Sequence, residues 1–175
     1  MILNKKIAFL SSSRADYGIL SPLIDLLIKD KRFDITLIVF GMHLEEQYGF
    51  SKEEITYNKN IKIKEVNCMP KDNKPKSISK YIGKIIVKFS NFWSKNKYDL
   101  VIAIGDRYEM FASVQSTVPF GMKILHIHGG ETSLGSIDNI FRDQITLASS
   151  FHLTSNEHHS KKIKRILNSD NNIFN

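Results

Sequence analysis

Residues 99–142, DLVIAIGDRYEMFASVQSTVPFGMKILHIHGGETSLGSIDNIFR, decide the fold. Leu100–Ile104 and Lys123–Ile127 are short apolar runs bounded by charge and glycine, the signature of strands buried in a parallel sheet. Between them Tyr108–Val118 reads as a helix stopped by Pro119. Each strand hands a polar cluster to the loop after it. Gly105-Asp106-Arg107 follows the first, and His126-Ile127-His128-Gly129-Gly130-Glu131 ends the second. A third cluster, Gly135-Ser136-Ile137-Asp138, opens a helix predicted over Ile137–Ser149. Three acids, two imidazoles and several glycines thus fall where an open α/β sheet places its ligand crevice.

The same alternation extends outward in both directions. Towards the amino end, Lys6–Ser12 and Phe33–Phe40 read as strands, separated by a loop at Ser13–Gly18 and a helix over Leu20–Ile28 with Ser21 and Pro22 in its first turn. Gly41-Met42-His43-Leu44 forms the next loop. Ser51–Asn60 is polar and gives no clear element, and Ile61–Val66 alternates as a strand with one wet face. Met69–Lys76, rich in proline and lysine, predicts a mobile loop. The stripe Ile78, Tyr81, Ile82, Ile85, Ile86, Phe89 and Phe92 then predicts a helix of four to five turns. Towards the carboxyl end, Phe151–Thr154 predicts a sixth strand and His158–Leu167 a last helix. The expected fold is a Rossmann-like, doubly wound α/β domain spanning residues 1–175, with strand order 3-2-1-4-5-6.

Composition narrows the functional classes. One cysteine, Cys68, excludes an internal disulfide framework and a thiolate cluster for zinc. No apolar run approaches the roughly 20 residues that span a bilayer, and the first strand leaves no room for a signal peptide, so a cytoplasmic, soluble protein is expected. The net charge of +7 is concentrated between Lys52 and Lys97, where 12 lysines and four acids give +8, leaving −1 for the remainder. That excess is lysine rather than arginine and lies away from the polar clusters. It reads as a solvated face, not a groove that tracks nucleic-acid phosphates.

The loops lack both G-x-G-x-x-G and G-x-x-x-x-G-K-[ST], so neither common nucleotide fingerprint is present. At the first loop Arg14 offers a planar fork to a phosphate beside a helix N-terminus, or forms a local ion pair with Asp16. Asp106, Glu131 and Asp138 supply the paired carboxylates that proton removal and return require. Each also has a bland alternative, as a helix cap, a support for Arg142 four residues on, or a solvated acid. His126 and His128 share a strand face, but H-x-H with one acid is a weak metal signal, and a buried structural histidine is the commoner outcome.

Taken together, SSRADYG, GMHL, GDRYE, HIHGGET and GSIDNIFRDQIT, in this order and spacing, resemble the N-terminal domain of the hydrolysing UDP-N-acetylglucosamine 2-epimerases of sialic and legionaminic acid synthesis. The resemblance runs from the first strand to about Ile173. It implies the N-terminal half of a two-domain GT-B architecture, with the C-terminal nucleotide-binding domain absent from this chain. It implies a UDP-sugar substrate, loss of UDP through a glycal, inversion at C2, no NAD or metal, and a homo-oligomer at full length. Carried over, Asp106 resembles the family's acid/base aspartate and Asp138 a further catalytic acid. Arg14, Asp16, His43, Arg107, His126 and Arg142 fall at positions for substrate contacts. His128 stands where sialic-acid relatives often carry glutamate, so the second acid is Glu131 or His128. The GETSLGSIDN spelling is closer to the legionaminic branch, whose substrate is UDP-N,N'-diacetylbacillosamine. The chain alone is expected to fold without turning over. The alternatives are the N-terminal domain of a GT-B glycosyltransferase, or a non-catalytic subunit that binds a partner.

Overall fold

The structure, a computed structural model, describes residues 4–45, 55, 61–68, 72 and 74–175. Its strands are β1 (Lys5–Ser11), β2 (Phe33–Phe40), β3 (Lys62–Val66), β4 (Leu100–Ile104), β5 (Lys123–Ile127), β6 (Phe151–Leu153) and β7 (Ile173–Phe174). All pair in parallel in the order β3-β2-β1-β4-β5-β6-β7. The helices are α1 (Arg14–Leu27), α2 (Pro75–Trp93), α3 (Tyr108–Gln115), α4 (Asp138–Ala148) and α5 (Glu157–Leu167). The doubly wound α/β reading therefore holds, with a seventh strand added. β7 has two residues, too short for any period to register, and is fixed by backbone bonds from His152 to Asn172 and from Thr154 to Phe174.

The central strands are buried along nearly their whole length, which is why they read as unbroken apolar runs. On one side of the sheet α2 lays Tyr81, Ile85, Phe89 and Trp93 into the core, one residue per turn. Phe40 meets Phe89 edge-on at 5.1 Å, and the indole N–H of Trp93 donates to Ser116 at 2.8 Å, so the one polar atom of that ring is satisfied.

Several boundaries differ from expectation for local reasons. α1 begins at Arg14, not Leu20, because Ser13 and Asp16 form a capping box ahead of it. Pro22 consequently lies inside the helix, and the Ser21 hydroxyl donates at 3.5 Å to the Gly18 carbonyl, four residues before the proline. α3 stops at Gln115, because the hydroxyls of Ser113, Ser116 and Thr117 take the carbonyls three residues back; Pro119 sits in a separate single turn. Pro75 and Lys76, expected in a loop, start α2, where proline suits the first turn. The rest of the Met69–Lys76 segment, apart from Asp72 and Lys74, lies outside the described residues, as does Ser51–Asn60 apart from Ile55. Among the described residues no helix is long and apolar enough to cross a membrane.

Candidate functional site

All four glycine-bearing or serine-bearing loops emerge on the carboxyl edge of the sheet. After β1, the Asp16 carboxylate accepts from the Ser12 N–H and hydroxyl, both at 2.7 Å, and from the Ser13 N–H at 3.1 Å. Asp16 thus fastens the start of α1 to the end of β1, and Arg14 stands exposed on the first helical turn. Gly41, at φ +61, brings the next loop against this one, its Cβ position 3.0 Å from the Ser12 carbonyl. His43, expected at the substrate, lies fully buried beneath, 2.7 Å from the Ser11 hydroxyl. Burial pulls its pKa down, against the pull of nearby Asp16.

His126 is also enclosed. Its Nε2 lies 2.8 Å from the Gly105 carbonyl and its Nδ1 lies 3.1 Å from the Thr146 hydroxyl. A carbonyl only accepts, so Nε2 carries the hydrogen and Nδ1 accepts from threonine. The neutral ring therefore ties β5 to the loop after β4 and to α4, and burial lowers its pKa to about 4. His43 and His126, expected at substrate contacts, both lie inside the protein, with their hydrogen bonds made to the elements that carry the carboxyl-edge loops.

In front of that support, Arg142 of α4 pairs with Asp106 of the β4 loop. The arginine is 5% exposed, and its Nε and Nη1 have no hydrogen-bond partner among the described residues. Burial pushes the Asp106 carboxyl up, Arg142 pulls it down, and Asp138 and Glu131 add to the rise. Asp106 does not cap α3, and Asp138 does not pair with Arg142; the Asp138 carboxylate instead accepts from the Ser136 hydroxyl at 2.8 Å. Asn139 clamps the same loop through both backbone groups of Ser133. Arg107 forks onto the buried carboxylate of Glu109, at 2.9 and 3.2 Å. Arg107 and Asp138 border a cavity of about 550 Å³, otherwise lined by Pro75, Ile78, Tyr108 and Phe141 among others.

Beyond β5 the chain turns sharply. His128 has φ +64, and its Nδ1 lies 2.6 Å from Glu131 Oε1. The same oxygen accepts from Ser155 at 2.8 Å, and Ser155 lies 2.9 Å from His159 Nδ1. Although burial raises the Glu131 carboxyl, the bonds from His128 and Ser155 hold it below the usual range. Gly129 and Gly130 admit α5 here, since a Cβ on Gly130 would stand 2.4 Å from the His159 carbonyl.

Asp106, Arg107, Asp138, Arg142, His128 and Glu131 thus share one edge, with Arg14 and Asp16 in the first turn of α1. Sequence reasoning missed Glu109, Thr146, Ser155 and His159. Glu109 and Thr146 carried the signal of polar residues at buried helical positions; Ser155 and His159 carried none that distinguishes them from surface residues.

The sequence profile of the UDP-N-acetylglucosamine 2-epimerase family matches residues 26–175. Polysialic acid biosynthesis protein P7 of Escherichia coli is 33% identical over 98% of this chain and 44% of its own length. The UDP-N,N'-diacetylbacillosamine 2-epimerase (hydrolyzing) of Legionella pneumophila is 29% identical over 97% of this chain and 45% of its own. The crystal structure of UDP-GlcNAc 2-epimerase from Neisseria meningitidis bound to UDP-GlcNAc superposes with a TM-score of 0.77 at 17% identity, covering 97% of this chain and 45% of that one. The chain spans under half the length of these relatives. With the profile matching most of its residues, the chain belongs to the UDP-N-acetylglucosamine 2-epimerase family.

Proposed function

We propose that this chain forms one wall of the cleft of a hydrolysing UDP-2-acetamido-sugar 2-epimerase, the other wall coming from a second domain of a GT-B pair. The observation that carries the reading is the Arg142–Asp106 pair on the carboxyl edge, flanked by Asp138 and by the His128–Glu131 pair. The sugar C2 proton is a poor acid, so departure of UDP from C1 leads. Arg14, Arg107 and the Arg142 N–H groups that no described residue bonds supply positive charge for the departing diphosphate. A base takes the C2 proton as the glycal forms; a second group returns a proton to the opposite face while water adds at C1. Asp106, raised by burial, is the proton-returning acid, and Asp138 serves the same edge. The name of the Legionella relative and the loop spelling favour UDP-N,N'-diacetylbacillosamine over UDP-N-acetylglucosamine.

The test measures UDP release and free sugar from both nucleotide sugars, in deuterated water, with the natural full-length polypeptide. Release of UDP with one solvent deuterium at C2 of a manno-configured product is expected. Transfer of the sugar to an acceptor with C2 hydrogen retained would instead establish a glycosyltransferase. Residues 1–175 alone are expected to release no UDP.

A further inference from the structure

His128 and Glu131 both stand on the wall, and their geometry assigns them different tasks. The β5–β6 ladder persists to His128, whose N–H donates to the Leu153 carbonyl at 3.0 Å, and the chain then turns through φ +64. A histidine in the left-handed region is retained only where its surroundings fix it, and such positions gather at functional sites. Here Gly129 and Gly130, packed beneath α5, fix the turn and set the imidazole against Glu131.

Hydrogen-bond direction separates the two residues. An ionised carboxylate only accepts, so the bond at 2.6 Å places the His128 hydrogen on Nδ1. Glu131 Oε1 is already shared with the Ser155 hydroxyl, whose oxygen is left to accept from His159 Nδ1. The Glu131 backbone carbonyl is held by Lys162 at 3.1 Å. Glu131 is therefore anchored from three sides. With its hydrogen on Nδ1, the His128 ring has a lone pair on Nε2, which no described residue bonds, and a third of its side chain (33%) is exposed.

Within the reaction proposed above, on which this inference rests, the geometry points to His128 Nε2 as the base that takes the C2 proton, with Glu131 as its positioning residue. The C2–H electron pair becomes the C1=C2 double bond, and the C1–O pair leaves with UDP. The imidazolium formed keeps its Nδ1–H on Glu131 and releases the new proton to solvent. In the hydration step Asp106, having taken up a proton from solvent, gives it to C2 and regains one from the water that adds at C1. The charge facing the imidazolium is Glu131, which favours it; Arg142 acts on Glu131 and on His126, Lys162 holds the Glu131 backbone carbonyl, and His126 and His159 complete the titratable surroundings.

The test uses the natural full-length polypeptide, with UDP release followed from pH 5 to 9. Asparagine tolerates the left-handed backbone but carries no proton, so His128→Asn is expected to lower kcat by about 10²–10⁴-fold with Tm unchanged. Glu131→Gln removes the charge that stabilises the imidazolium. It is expected to move the acidic limb of kcat/KM to lower pH and to reduce kcat more than it changes KM. His128→Glu, which restores a proton carrier, is expected to recover part of the loss. A His128→Asn enzyme within about threefold of the parent, its acidic limb in place, overturns the inference while leaving the proposed function standing. A larger loss in Glu131→Gln than in His128→Asn, with no movement of the limb, also overturns it by giving the proton to Glu131. A parent enzyme that releases no UDP from either sugar overturns the proposed function, and this inference with it.

Discussion

The Arg142 guanidinium closes on the Asp106 carboxylate across 36 residues of sequence, joining the first turns of α4 to the loop after β4. With the arginine almost fully enclosed, the pair is a buried one, and removing either partner strands the other charge away from water. Arg142→Leu is expected to destabilise the chain by about 3–5 kcal/mol, read as a fall in Tm. Asp106→Asn keeps the shape and a hydrogen-bond acceptor, so its Tm should fall less. In the full-length enzyme it should lower kcat by about 10²–10⁴-fold, the range of a lost acid/base group. Equal effects of Asp106→Asn on stability and none on kcat would reduce Asp106 to a structural ion-pair partner.

Gly130 carries the contact that lets α5 approach β5. An alanine there faces two penalties: the left-handed backbone at φ +78, and a Cβ 2.4 Å from the His159 carbonyl. Gly130→Ala is expected to cost about 2 kcal/mol or more. Gly135→Ala has the same backbone problem at φ +70 but open space around it, and should cost about 1 kcal/mol. Comparing the two Tm values isolates the close approach; equal losses would show that α5 yields.

How much of this was legible in the sequence follows from what kind of information each feature needs. Strand order and the shared carboxyl edge rest on apolar runs and glycine-marked loops, which are local, and both came through. The extent of α1 depended on Asp16 reaching back to Ser12 and Ser13. That pattern spans only four residues, but the proline at Pro22 outweighed it, since the Ser21 hydroxyl that serves the Gly18 carbonyl is invisible without coordinates. His126 and His128 are two residues apart and look alike in sequence. One is sealed between Gly105 and Thr146, and the other is turned outward by a positive φ; both facts are set by α4 and α5, elements remote in sequence. The Arg142–Asp106 pair was missed for the same reason, whereas the nearer Asp138 was the partner that helical spacing suggested.

The capping box makes a prediction that separates stability from binding. Ser13→Ala removes one long side-chain bond to the Asp16 N–H and should cost about 1 kcal/mol. Asp16→Ala removes three bonds and leaves the buried Ser12 N–H without an acceptor, so about 2–3 kcal/mol is expected. In the full-length enzyme KM for the nucleotide sugar should change little at temperatures well below Tm. A large rise in KM with Tm preserved would return Asp16 to the substrate.

The enclosed histidines give the chain a defined sensitivity to acid. His126 titrates near pH 4 when folded and near 6.5 when unfolded, so the unfolded chain takes up the proton first. Its contribution is fully present above about pH 6.5 and is lost as pH falls through that value towards 4, by on the order of 3 kcal/mol. Burial lowers His43 and His152 as well, and they act with the same sign over the same descent. Asp106, raised in the fold, acts oppositely, because its proton is bound more readily by the native state. Chemical denaturation at pH 7.5, 6.0 and 5.0 should therefore show a steady fall in stability before most carboxylates titrate. His126→Gln keeps one donor and one acceptor in that site without a titrating ring, so it should start less stable and fall less steeply. A mutant slope equal to the parent's would mean that the imidazole between Gly105 and Thr146 accepts a proton without opening the fold.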